Sequence, residues 1–242
     1  MVCAHKENQD GFTLVEISIV MIIIGLLIGG TFGGMKLIEN MQVNRTVQDL
    51  KAIESAALTF KDVYGRLPGD MPNTAVRLPS CTDAPCATGG NGNRVIGTLN
   101  LFGGTIANTD ENFTFWHHLQ AADLLALGTK NTLDMNFGEG QPSGPLAGYR
   151  ISNYNVPWVS TDIIQGTIIF VNDMPSVAMT GGGAGMEWAI PCKSIESIDQ
   201  KTDDNIPYNG RLRGWACTPA AAADIPYDVS RIGAIVYDLK GF

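Results

Sequence analysis

The chain has 242 residues, 45% of them hydrophobic, and a formal net charge of −8. That length supports a sizeable core in one or two domains, and the composition excludes a disordered chain. The acidic balance disfavours nonspecific nucleic-acid binding, which needs a basic surface to displace counterions from phosphates.

Residues 1–10, MVCAHKENQD, are polar and show no periodicity. From Phe12 to Met35 the chain is apolar, interrupted besides its glycines only by Thr13, Glu16, Ser18 and Thr31. At about 1.5 Å per residue a helix of this length spans roughly 36 Å, enough to cross a bilayer with some tilt. A cleaved secretory signal is the competing reading. It would have a basic n-region and an apolar core of roughly 7–15 residues. Here the apolar run is longer, and Lys6 stands against Glu7 and Asp10. Cys3 is no lipoprotein site, because no apolar segment precedes it. Glu16 is the anomaly: a carboxylate at bilayer depth costs roughly 2.5–3.5 kcal/mol, so such residues usually have a function and a partner. The plain alternative is a side chain that snorkels to the interface. Gly25, Gly29, Gly30, Gly33 and Gly34 crowd the same run. Each costs about 1 kcal/mol relative to alanine in a water-exposed helix, so GGTFGG is a point where the helix could loosen.

From Lys36 the pattern becomes amphipathic. Met41, Val47, Leu50, Ile53, Ala57, Phe60 and Tyr64 form one helical face, Gly65 suits the position after the helix, and Pro68 prevents continuation. One helix of about 50 residues is therefore expected from Phe12 to Tyr64, apolar all round in its first half and one-sided in its second. Residues 66–108 are loop-rich. Asp110 is placed to cap a helix over ENFTFWHHLQAADLLAL, with Phe113, Trp116 and Leu119 on one face and Gly128 as its stop. Strand candidates follow at 149–154, 166–171, 186–190 and 233–238, separated by glycine and proline as in an antiparallel sheet. Residues 192–200 read as a short helix. No internal repeat and no separate second domain is evident.

Cys81, Cys86, Cys192 and Cys217 all follow the apolar run. An even set beyond a membrane span points to disulfides in an oxidising compartment, against the alternative of four buried thiols. Four cysteines allow three connectivities; Cys81–Cys86 with Cys192–Cys217 is expected because each closes a local loop. Zinc is disfavoured, since Cys192 and Cys217 make no second close pair. His117 and His118 are adjacent on a helix and so point apart. No nucleophile–histidine–acid set is evident, and no enzymatic activity is expected. Trp116 and Trp188 read as core residues. Asp199, Asp203 and Asp204 cluster in DQKTDDN. Short-spaced carboxylates can bind calcium, but the segment lacks the glycine and closing glutamate of an EF-hand, so a solvated turn with no cofactor is the better reading.

The start of the chain resembles the type IV pilin and type II secretion pseudopilin superfamily. The signature is a short polar leader ending in Gly11, then Phe12, Thr13, Leu14, Val15 and Glu16, then about 20 apolar residues. YGRLPGD at 64–70 is similar to a motif in pseudopilin-like members. The resemblance implies a leader at 1–11, a transmembrane and assembly helix at 12–35, and a pilin-like globular domain at 36–242 that includes the amphipathic segment 36–64. It implies an α+β fold, the long helix packed on an antiparallel sheet, with a C-terminal region often closed by a disulfide. It further implies cleavage after Gly11 by a prepilin peptidase and N-methylation of Phe12. The partners implied are that peptidase, copies of this or related subunits in a filament, and an inner-membrane assembly platform. The location implied is a single-pass inner-membrane protein with a periplasmic C-terminal domain, later part of a pilus or pseudopilus. Some members bind calcium near the region of Asp199, Asp203 and Asp204. Within this resemblance Glu16 receives a partner: the new α-amine of Phe12 on a neighbouring subunit, cationic near neutral pH. Three features depart from the pattern. The leader lacks the usual net positive charge. Lys36, Arg45 and Lys51 outnumber Lys6, so charge alone would orient the span the other way; the cysteines and the cleavage signature place the leader in the cytoplasm. Glycines 33 and 34 stand where many pilins have a proline. The rival from another class is a single-span receptor or membrane-anchored enzyme that does not polymerise.

Overall fold

The computed structural model describes residues 12–97, 106–128, 132–159, 162–174, 189–219 and 225–239. The chain divides into two compact units, Met1–Met41 and Gln42–Phe242. A single 51-residue helix, α1 (Leu14–Tyr64), contributes to both. It is helical through Gly33 and Gly34, so GGTFGG forms no break. Gly65 ends it with φ 68°, its N–H donating to the Lys61 carbonyl.

In the first unit, every residue from Leu14 to Ile38 is exposed, including Leu26 at 72% and Leu37 at 62%. The polar residues of this stretch satisfy themselves: the Ser18 hydroxyl donates to the Leu14 carbonyl and that of Thr31 to Leu27. Such back-bonding removes the need for water or for another chain at those two sites.

In the second unit the helix buries Val43, Thr46, Leu50, Ile53, Ala56, Ala57 and Phe60. The stripe differs from the expected one at its start. Met41 is exposed and Val47 half-buried, while Val43 and Thr46 face the core. Thr46 disguised the pattern, because its hydroxyl is spent on the Gln42 carbonyl and its methyl side packs like valine. Full burial of an aromatic such as Phe60 stabilises by about 1.5–3 kcal/mol.

The remaining elements are α2 (Thr74–Arg77), α3 (Glu111–Ala121), β1 (Gly148–Val159), β2 (Asp162–Asn172), β3 (Ile190–Pro191), α4 (Cys192–Thr202), β4 (Leu212–Trp215) and β5 (Ile232–Asp238). Among the described residues the named strands pair antiparallel, in the order β1-β2-β5-β3, with β4 also on β5. This is the expected α+β architecture of a long helix and an antiparallel sheet. Polar contacts fasten α1 to it: the Tyr149 hydroxyl donates to Asp49 (3.1 Å) and the Tyr237 hydroxyl to Glu54 (2.8 Å). Arg211 pairs with Glu54 and lies 5.0 Å over the Tyr237 ring.

Several boundaries differ from expectation. α3 stops six residues before Leu127. Asp123 adopts φ 57°, and the bonds Asp123 N–H to Gln120 and Leu124 N–H to Leu119 form a Schellman close without glycine. Asp110 precedes α3, but its carboxylate accepts the Ala107 N–H rather than capping the helix. α3 buries Asn112 through Leu119, all sides rather than one face. β1 and β2 each outrun the expected strand at both ends as a long hairpin, whereas β4 was not anticipated. Of the strand expected at 186–190, residues 186–188, Trp188 among them, lie outside the described residues, and β3 begins at Ile190.

Candidate functional site

Three places carry the residues singled out by sequence. The first is the start of α1. Gly11 lies outside the described residues, and Phe12 is 86% exposed. Thr13 is the helix N-cap: its carbonyl accepts the Ile17 N–H, and its Oγ1 accepts the Glu16 N–H at 3.2 Å. Glu16 reaches back. Its Oε2 accepts the Thr13 N–H at 2.9 Å and the Thr13 hydroxyl at 2.7 Å. This reciprocal arrangement is a capping box, spelled T-L-V-E in the sequence and missed there. It satisfies an orphan donor of the helix end and sets a carboxylate at the positive end of the helix dipole. Within one chain, then, Glu16 already has a local partner.

The second place is the loop after α1. Gly69, in the PGD of YGRLPGD, has φ 82°, and a Cβ there would overlap the Glu111 carbonyl. Its N–H donates to His118 Nδ1 at 2.8 Å. That nitrogen must therefore be the bare one, so Nε2 carries the proton and donates to the Cys86 carbonyl at 3.2 Å. Asp70 accepts the Arg94 N–H, and Glu111 accepts the N–H groups of Asn91 and Gly97. The side chain of His118 is wholly buried, and desolvation pushes its pKa down to about 4. His117 turns to the Phe113 carbonyl instead. Cys81, Cys86 and His118 cluster, but the sulfurs are joined to each other and offer no thiolate to a metal.

The two disulfides have the expected connectivity, Cys81–Cys86 (Cα–Cα 5.2 Å) and Cys192–Cys217 (5.4 Å). The second joins α4 to the turn after β4.

The third place is the carboxylate cluster, which the structure brings together: one oxygen from each of Asp199, Asp203 and Asp204 lies within 4.8 Å of the others. Much of its capacity is used internally. Asp199 Oδ2 accepts the Tyr227 hydroxyl at 2.8 Å, and Asp203 accepts the N–H groups of Arg211 and Leu212. Asp204 accepts from Ile206 and Asn209. Asp199 is fully buried, its Oδ1 lacks a donor, and burial pushes its carboxyl up to about 7. An orphaned buried oxygen beside two further carboxylates fits the donor chemistry of a hard cation.

Residues 6–32 match the family described as the prokaryotic N-terminal methylation motif. That motif is the prepilin-type signature of type IV pilins and pseudopilins. No curated protein and no solved structure matches the chain significantly.

Proposed function

We propose that the chain is a structural subunit of a type IV pilus-like or type II secretion pseudopilus filament, cut by prepilin peptidase after Gly11 and N-methylated at Phe12. The observation that carries this reading is the methylation motif at 6–32, seated at the start of a helix long and apolar enough to cross a membrane. The described residues 14–38 of that helix are all exposed, as befits a segment held first by a bilayer and then by other subunits. Gly25, Gly29 and Gly33 recur every four residues, and a Cβ placed at each would meet nothing within 4 Å, leaving a line along which another helix backbone can approach closely. On cleavage the Phe12 amine of one subunit would compete for the Glu16 carboxylate of its neighbour, replacing the weaker capping contacts with an ion pair and fixing register. Anchoring in the inner membrane with residues 42–242 outside it, docking on an assembly platform, and a role without catalysis belong to the same reading.

Mass spectrometry of the membrane-extracted protein tests it. Phe12 should be the first residue and methylated, and Gly11→Glu should block the cut. A mature chain that begins near Gly34 would identify an ordinary signal peptide instead.

Calcium at Asp199, Asp203 and Asp204 is a second proposal, supported by the orphaned Oδ1 of Asp199. These side chains would hold the ion, which would tie the end of α4 to the loop before β4. Millimolar calcium should raise the melting temperature of the wild type and leave Asp199→Asn unmoved; equal curves with calcium and with chelator would dismiss it.

A further inference from the structure

A cavity of about 310 Å³ opens where α1 ends, lined by Lys61, Gly65, Arg66, Leu67 and Arg94. Three of its described lining residues are cationic and none is acidic, on a chain whose net charge is −8. Its volume matches the lower end of small-molecule sites, roughly 300–1,000 Å³.

Two features show that the arginines are placed rather than scattered. Arg66 is tethered by its Nη1, which donates to the Gly92 carbonyl at 3.2 Å, leaving the rest of its fork for other acceptors. Arg94 has φ 70°, a left-handed conformation that costs a side-chain-bearing residue energy and that glycine adopts freely. The strain is imposed by the loop, whose Arg94 N–H is held on Asp70 at 2.8 Å. Gly92, two residues earlier, also has positive φ, so this loop does use glycine where only backbone is needed. At position 94 a long cation occupies a strained site and lines the cavity, which is where an outlier points to a use for its side chain.

We propose that this cavity binds a multiply charged oxyanion of the phosphate class. Arginine forks pair with two oxygens at once, and a group with two negative charges balances the two arginines, Arg66 and Arg94, better than one carboxylate does. Leu67 supplies an apolar wall for whatever carries the phosphate. The same chemistry could come from a soluble phosphate ester or from a lipid headgroup.

The test is calorimetry on the full chain in neutral detergent at constant ionic strength, with inorganic pyrophosphate and dihexanoyl phosphatidic acid as probes. Saturable binding of pyrophosphate assigns a soluble ligand; binding of the phosphatidic acid alone assigns a headgroup. Arg94→Gly should weaken binding at least about tenfold while leaving the melting temperature essentially unchanged, because glycine relieves the backbone. Arg66→Gln should weaken it similarly, and Arg77→Gln, outside the cavity, should not. Absence of saturable binding, full binding by both cavity variants, or binding of hexaglutamate but of neither phosphate would overturn the proposal.

Discussion

The two stretches of α1 differ in what their apolar side chains touch. Residues 14–35 are apolar nearly all round and none is buried, whereas residues 42–64 carry a narrow stripe that is almost entirely covered. Hydrophobic content would rank the first stretch as the better core. Burial ranks them the other way, because the head of the protein offers a groove one stripe wide, shaped by Tyr149, Tyr237 and their neighbours. The excess apolar surface of the first stretch is far above what a soluble monomer exposes, and it calls for a bilayer or for other helices. One continuous helix thus carries an internal core and an external one.

The largest effect should come from Phe60→Ala. Phe60 is fully buried, so truncation should destabilise residues 42–242 by about 3–5 kcal/mol. Leu26→Ala should leave the denaturant midpoint of the same region unchanged, since Leu26 is exposed within its own unit. A shared loss would erase the contrast between the stretches. Next, replacing both Cys192 and Cys217 by alanine opens a loop of sequence separation 25 and should cost about 3.5 kcal/mol in the chain-entropy model. Denaturant titration of the oxidised double variant against wild type measures it, and cleavage after Gly11 should be unaffected.

A pH effect of about 3 kcal/mol follows from His118, confined to the second unit. Its folded pKa is about 4 against an unfolded value near 6.5, so the unfolded chain binds more protons between these values. Stability from this group is therefore complete above about pH 6.5 and is lost as pH falls toward 4. Chemical denaturation at pH 7 and pH 4.5 should show a smaller difference in His118→Gln than in wild type. An equal difference in both would mean that the carboxylates alone set the acid limit.

The parts legible in sequence were those in which one local pattern dominates. The apolar run, the amphipathic continuation, the stop at Gly65 and both disulfides follow from periodicity, glycine and loop closure. What escaped depends on partners distant in sequence. Thr46 was hidden because its polar atom is cancelled by its own helix. The end of α3 was misplaced because Asp123 takes a conformation usually left to glycine. β4, with two arginines and a glycine in its neighbourhood, has no alternation to read and exists because β5 offers an edge. Gly69 and His118 are 49 residues apart, and only the fold makes them a donor and an acceptor. At the candidate site the reverse occurred. The T-L-V-E capping box is entirely local, but it lies inside an apolar run, where Glu16 reads as a misplaced charge rather than as a cap.

That capping box gives Glu16 two competing roles, and a substitution series separates them. Glutamine at the third helical position can still reach back to the N-cap N–H, so Glu16→Gln keeps the box and removes the charge. Glu16→Ala removes both, at a cost to the helix start of about 1 kcal/mol, the smallest effect considered. Thr13→Val keeps the charge and deletes the Thr13 hydroxyl, which both accepts the Glu16 N–H and donates to its carboxylate. If Glu16 serves a neighbour's amine, Gln and Ala variants should both insert, be cleaved, and fail to give sheared or crosslinked filaments, while Thr13→Val assembles. If capping is its purpose, Gln should assemble, whereas Ala and Thr13→Val should both show reduced yield. Membrane fractionation reads insertion and cleavage, and filament yield reads register. Loss of insertion in Glu16→Ala would contradict both roles, because removing a carboxylate from an apolar run lowers the cost of entry.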